Sequence, residues 1–119
     1  MSTDIKSATR TTDGQKEIKF WAVKDGKTVA MCRLKLGNQE AWLDTITADK
    51  RLATITRVRQ LNIIMEAVET YLKKHKLSMH GETNPRFAKY LEKRKGYTCK
   101  KHPYIPGMQP KVKMHYLPK

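Results

Sequence analysis

The stretch Leu77-Ser78-Met79-His80-Gly81-Glu82-Thr83-Asn84-Pro85-Arg86-Phe87-Ala88-Lys89-Tyr90-Leu91-Glu92-Lys93, closing at Gly96-Tyr97, decides the fold. It reads as a short strand, a capped turn, an amphipathic helix and a glycine-terminated exit into another strand. Asn84 suits the N-cap because its side-chain carbonyl can accept from an early helical N–H. Pro85 suits the first helical position, where a missing N–H costs nothing. Phe87, Tyr90, Leu91 and Arg94 fall on one helical stripe, and Gly96 stands where a C-terminal cap belongs.

Upstream of this segment, Val58, Leu61, Met65, Val68 and Leu72 recur at helical spacing, with Asn62, Glu66, Glu69 and Lys73 opposite. The spacing predicts a helix from about Thr56 to His75. Before it, Glu17 to Lys24 alternates around Ile18, Phe20 and Ala22. Asp25-Gly26 is a hairpin signal, and Thr28 to Leu36 follows as a second strand. Gly37-Asn38 turns the chain into a third strand, Gln39 to Ile46, so the three form an antiparallel meander. After Tyr97 another strand begins, residues 100–110 form a basic, proline-dotted loop, and Val112 to Leu117 alternates as a last strand. The reading is an α/β (α+β) fold: a mixed, mostly antiparallel sheet, a central crossover helix and a second, capped helix. Residues 17–119 make one domain. Residues 1–16 hold Ser, Thr, Asp and Gly with almost no apolar content, and read as a polar arm, disordered unless something holds it.

A chain of 119 residues is one domain's worth. No run approaches the roughly 18–20 apolar residues of a membrane span, and no apolar signal region opens the chain. A cytoplasmic setting without a membrane partner is expected. Cys32 and Cys99 then read as reduced thiols. Cys99 and His102 have a metal-ligand spacing and His115 lies further on, but no second compact pair completes a site, so no metal is expected.

The charge is lopsided. Lys and Arg number 25 against 11 Asp and Glu, a formal +14. Residues 1–49 carry 8 basic and 7 acidic side chains, whereas residues 50–119 carry 17 and 4, a net of +13. Such a field points to an anionic partner, either nucleic acid or an acidic protein surface. The anion-binding candidates are Arg57, Arg59, Lys73, Lys74, Arg86, Lys89, Lys93, Arg94, Lys100 and Lys101. Tyr97, Tyr104 and Tyr116 are interleaved with the last of these and offer rings for stacking on bases. No recognised nucleic-acid-binding motif accompanies them, so contact would be backbone-directed and salt-sensitive. His102-Pro103-Tyr104-Ile105-Pro106-Gly107 reads as a docking arm as much as a loop, consistent with a place in a protein assembly.

The Asn84-to-Tyr97 segment resembles the last conserved segment of the GNAT acyltransferase superfamily, an Asn, a helix reading roughly Tyr-Glu-Lys, then Gly-Phe. The element order matches that family from its second strand onward, over about Glu17 to Leu117. The resemblance implies acetyl-CoA at the N-terminus of the central helix, on a loop reading Gln/Arg-x-x-Gly-x-Gly/Ala, where backbone N–H groups and the helix dipole meet the pyrophosphate. Counted back from the helix end at Lys76, that loop falls on Thr56-Arg57-Val58-Arg59-Gln60-Leu61. The candidate cofactor residues are accordingly Thr56, Arg57, Val58, Arg59, Gln60 and Asn84. Both glycines are replaced there, by Arg59 and Leu61, although Arg57 and Arg59 retain side chains able to bind phosphate.

Many family members also place a Tyr just before Glu-Lys as a general acid for the leaving thiolate. The matching residue is Leu91. Tyr90, the remaining catalytic candidate, would point about 100° away around the helix. Glu40, Asp44 and Asp49 are the carboxylates in place for a general base. In typical members a first strand and two helices precede the meander, and only sixteen polar residues stand there, so the fold is expected to be N-terminally truncated. Within the superfamily, Trp42, the basic start of the central helix and the Asn84-led helix resemble small GNAT-like proteins of bacteriophages, including internal virion proteins. The sequence reading is therefore a catalytically degenerate GNAT-like protein acting by binding, in a virion or against host or nucleic-acid targets, with no cofactor. The alternative is a minimal acyl-CoA-dependent N-acetyltransferase, for which acetyl-CoA would be the cofactor.

Overall fold

A computed structural model describes residues 3–101, 106–107 and 111–118. Seven strands form one sheet: β1 (Asp4–Thr12), β2 (Gln15–Lys24), β3 (Lys27–Leu36), β4 (Glu40–Ala48), β5 (Ser78–Thr83), β6 (Tyr97–Lys101) and β7 (Val112–Tyr116). Two helices, α1 (Thr54–His75) and α2 (Pro85–Glu92), follow β4 and β5. The strand order is β1-β2-β3-β4-β5-β7-β6, and every pairing is antiparallel except β4 with β5. A parallel neighbour needs a crossover connection, and α1 supplies it.

The first strand corrects the expectation of a disordered arm. Asp13 and Gly14 both adopt positive φ, 51° and 78°, as do Asp25 and Gly26 at 53° and 76°. Two such residues make the two-residue turn whose twist matches a hairpin. β1 therefore folds back on β2, in register from Asp4 opposite Val23 to Thr12 opposite Gln15. Its nine residues are all exposed, so no apolar alternation betrays it in the sequence. Asp13-Gly14 is the same signal as Asp25-Gly26 and marks the strand before it.

One face of the sheet is covered. Ile18, Phe20 and Ala22 of β2, Cys32 and Leu34 of β3, Met79 of β5, and Met114 and Tyr116 of β7 form a single core with Ile64, Met65, Val68 and Leu72 of α1 and Leu91 of α2. The two helices sit side by side. Arg94, just beyond α2, holds both carboxylate oxygens of Glu69 on α1, at 2.9 and 2.7 Å, and the Tyr97 hydroxyl donates to Glu69 at 2.8 Å. Among the described residues no helix covers the opposite face, where Trp42, His80 and Lys113 lie, because β1 passes into β2 through two residues only.

Asn84 caps α2 as its sequence predicts, accepting from the Phe87 N–H at 2.8 Å. Gly96 does not cap it. α2 ends at Glu92 with Lys93 as C-cap in a right-handed conformation, and Gly96, at φ 96°, lies in the turn that enters β6. A Cβ there would come within 2.9 Å of the Leu117 carbonyl and of the Tyr116 ring, so the glycine is required by close packing against the end of β7.

Candidate functional site

β4 and β5 pair only over Glu40–Trp42 and Ser78–His80, although β4 continues to Ala48 and β5 to Thr83. Two features open the gap. Arg33 pairs with Thr45 and Leu34 with Leu43, leaving Asp44 as an extra residue that bends β4. Gly81 brings β5 close to Leu43, where a Cβ would stand 3.0 Å from the Leu43 Cβ, and beyond this point the strands diverge. The result is a wedge of about 440 Å³ at their C-terminal ends, bounded by Leu43 to Ala48, Leu61, Glu82, Thr83, Asn84 and Phe87. Open α/β sheets bind ligands in this position, outside the carboxyl ends of parallel strands. A strand edge that has left its ladder can also pair with an extended, amide-bearing ligand.

α1 starts beside the wedge. It begins at Thr54, two residues earlier than its periodicity suggests, after an N-cap, Ala53, that supplies no side-chain hydrogen bond. Its first turn holds no acidic residue. The Arg57 N–H already bonds to the Ala53 carbonyl at 2.9 Å, so the amides of Arg57, Val58, Arg59 and Gln60 lie within the helix and cannot form a phosphate loop. Of the expected cofactor residues, Thr56 alone keeps its amide among the first, unpaired N–H groups. Placed instead to end on Thr56, the last amide before the helix ladder and five residues earlier than counted back from Lys76, the Gln/Arg-x-x-Gly-x-Gly/Ala pattern falls on Arg51-Leu52-Ala53-Thr54-Ile55-Thr56, with threonines at both glycine positions. Arg51 there is engaged by Asp49, at 2.9 and 3.0 Å. Arg57 folds back on the Thr54 hydroxyl at 3.3 Å, Arg59 is exposed, and Gln60 is buried with its Oε1 unpartnered. Asn84 belongs to the wedge as well as to the cap. The strand part of the site thus offers a free strand edge to an extended ligand, whereas the turn before α1 lacks the glycines that the resemblance implies for a pyrophosphate.

The Tyr90 hydroxyl does not face the wedge. It donates to the Asn62 side-chain oxygen on α1, with the Arg94 guanidinium 3.4 Å away. Burial pushes its pKa up, partly offset by the charge of Arg94. Leu91, which the resemblance sets at the acid position, is fully buried in the core. Among the carboxylates, Glu40 lies 2.9 Å from His80 Nε2. Partial burial pushes Asp44 upward, but the hydrogen bond and charge of Arg33 and the charge of Lys35 outweigh it and hold the carboxyl below its usual range. The hydrogen bonds of Arg51 do the same for Asp49. Carboxylates held ionised in this way are weakened as proton acceptors.

The basic residues do not gather at one point. Arg57 and Arg59 stand at the start of α1 and Lys73 and Lys74 at its end, about 20 Å away along the axis. Arg86, Lys89 and Lys93 line the exposed side of α2 and the turn after it, while Lys100 and Lys101 are exposed on β6. Arg94 is taken up by Glu69, whose hydrogen bonds and charge raise its pKa against the lowering effect of burial. The expected stacking rings are also corrected. Tyr97 and Tyr116 are buried against each other, ring centroids 4.6 Å apart, because their strand positions face the helices. Tyr104, and residues 102–105 of the expected docking arm, lie outside the described residues. Among the described residues no three His, Cys, Asp or Glu side chains come together as metal ligands, and no helix is long and apolar enough to cross a membrane.

The chain as a whole superimposes on known structures. The ribosomal-protein-S18-alanine N-acetyltransferase of Escherichia coli superimposes with a TM-score of 0.64 at 20% identity, over 84% of this chain and 67% of that one. The chain has the GNAT fold. An acyl-CoA N-acyltransferase of Pseudomonas aeruginosa gives a TM-score of 0.61 at 14% identity, over 84% of this chain and 68% of that one. A Bacillus anthracis protein assigned as a streptothricin acetyltransferase, in complex with acetyl coenzyme A, gives 0.62 at 18%, over 87% and 62%. No protein-family model and no curated protein matches the chain. At these identities the likeness is one of fold. In this chain the β1–β2 connection is a two-residue turn, and among the described residues no helix covers that face of the sheet.

Proposed function

We propose that this GNAT-fold chain works by binding and has lost acyl transfer. The observation that carries the reading is the side chain at the acid position: Leu91 is sealed in the core and the neighbouring Tyr90 hydroxyl is engaged by Asn62. Threonines in place of both phosphate-turn glycines support it, as does the pairing of Asp44 and Asp49 with basic side chains. The partner we propose is anionic, in keeping with the net charge of +14, and the sequence resemblance to bacteriophage proteins supports a role in a virion or against host machinery.

Acetyl-CoA at millimolar concentration is expected to leave the melting temperature unchanged and to release no free thiol in the presence of amines. A saturable rise of several degrees with thiol release overturns the proposal, since a ligand at 100 times its Kd stabilises by about 2.7 kcal/mol. The wedge between β4 and β5 favours the second reading, a minimal acyl-CoA-dependent N-acetyltransferase, and the same measurement decides between them.

A further inference from the structure

We propose that the open face of the sheet binds single-stranded nucleic acid, with Trp42, His80 and His115 as its stacking row. This inference names the partner of the binding role above and uses the face opposite α1 and α2. The parallel register sets Trp42 beside His80, and the antiparallel register sets His80 beside His115. Ring centroids are 6.3 Å apart for the first pair and 4.4 Å for the second, which is stacked. Three rings thus run across three neighbouring strands. Trp42 is 43% exposed and the His80 side chain 38%, an unusual exposure for a tryptophan in the middle of a sheet.

The surroundings fit a polyanion with free base faces. Lys35 is the register partner of Trp42 on β3, and Lys100 and Lys113 are register partners on β6 and β7, one step along from His115. Lys100, Lys113 and the ring row line one open groove of about 620 Å³. The carboxylates there are engaged: Glu40 by His80, and Asp44 by Arg33 and Lys35, while Glu82 lines the groove opposite Lys113. The excess of positive charge over the chain supplies the long-range attraction. Stacking on side-chain rings requires unpaired bases, because a duplex buries their faces; a sheet bearing rings and rimmed with cations is a known solution for single strands. An acidic protein would find no use for the ring row.

Fluorescence anisotropy of a labelled 15-nucleotide oligothymidine or oligouridine with the full chain tests the proposal. Trp42→Ala is expected to weaken binding about 5- to 150-fold, the range for one lost stacking partner, and Trp42→Phe to restore most of it. Val58→Ala, at an exposed position of α1 on the other side of the sheet, leaves affinity unchanged and serves as the control. Lys100→Ala with Lys113→Ala lowers the salt slope by about 1.4, at roughly 0.7 per phosphate contact on a single strand. Unfolding midpoints of the variants are measured alongside, so that Trp42→Phe and the lysine pair carry the test if Trp42→Ala fails to fold. Wild-type affinity in a folded Trp42→Ala, equal affinity for a duplex of the same length, or no binding at low salt overturns the proposal. Thiol release from acetyl-CoA would overturn the binding-only function and leave these measurements intact.

Discussion

Arg94 and Glu69 form a two-bonded ion pair between the end of α2 and the middle of α1, with N–O distances of 2.9 and 2.7 Å. Both side chains are largely shielded from water, at 19% and 15% exposure. Planar, double contact of this kind is stronger than a single exposed ion pair. Because Glu69 also accepts from Tyr97, the carboxylate ties α1, the end of α2 and β6 together. Arg94→Ala is expected to lower unfolding stability by about 1.5–3 kcal/mol, the worth of hydrogen bonds to a charged group. Arg94→Lys should recover only part of this, since an ammonium cannot present the paired N–H fork. Urea unfolding of both variants is the measurement, and equal stability of Arg94→Ala and the parent would show that the pair contributes nothing.

Tyr90 belongs to the same interface and to its energetics. Removing its hydroxyl in Tyr90→Phe leaves Asn62 with the Arg94 contact at 3.3 Å, so the loss should be about 1 kcal/mol. If acyl transfer is ever detected, its rate should be the same in Tyr90→Phe, because the hydroxyl points to α1. A hundredfold fall in rate at unchanged stability would instead make Tyr90 an acid.

Much of the fold is legible in the sequence because its elements carry local signals. Asn84-Pro85 announces α2, and the apolar stripe from Val58 to Leu72 announces α1. Where local and global signals part, the reading fails in definable ways. β1 is exposed on both faces and has no alternation, although the turn Asp13-Gly14 marks its end. α1 starts after an alanine N-cap that makes no side-chain hydrogen bond, so no capping residue flags its start at Thr54. Tyr97 and Tyr116 look available among lysines, yet strand alternation turns them inward. The row of Trp42, His80 and His115 depends on the register of three strands distant in sequence, and no spacing rule reveals it.

Gly81 sets how closely β5 approaches β4 at the mouth of the wedge. Gly81→Ala would place a Cβ 3.0 Å from the Leu43 Cβ and 3.3 Å from the Met114 Cε, so one neighbour must yield. Met114 is flexible, but Leu43 Cβ is fixed to the β4 backbone. The variant is therefore expected to lose about 1–3 kcal/mol of stability, as over-packing does, and to speed hydrogen exchange in the Glu40–Trp42 ladder. Gly96→Ala should also be destabilising, because strain at positive φ of about 1–3 kcal/mol adds to the clash with Leu117 and Tyr116. An unchanged melting temperature in Gly96→Ala would refute the close-packing role assigned to that turn.

The buried thiol of Cys32 makes stability fall in alkali. Burial pushes its pKa from 9.0 up to about 12. Below pH 9 the thiol is neutral in both states and contributes no pH dependence. Between 9 and 12 the unfolded chain ionises first, so stability declines by about 1.4 kcal/mol per pH unit. Tyr97 acts in the same direction from pH 10 upward, since burial, then the charge and hydrogen bond of Glu69, raise its pKa. Two pH units above the thiol's ordinary value therefore remove about 3 kcal/mol through Cys32 alone, a large part of the roughly 5–15 kcal/mol typical of a domain. Cys32→Ala is expected to be less stable at pH 7, having lost buried volume, yet to show a shallower alkaline decline, so that its deficit shrinks by pH 11. Urea midpoints measured from pH 7 to 11 check this, and parallel curves for the two proteins would exclude the thiol as the cause.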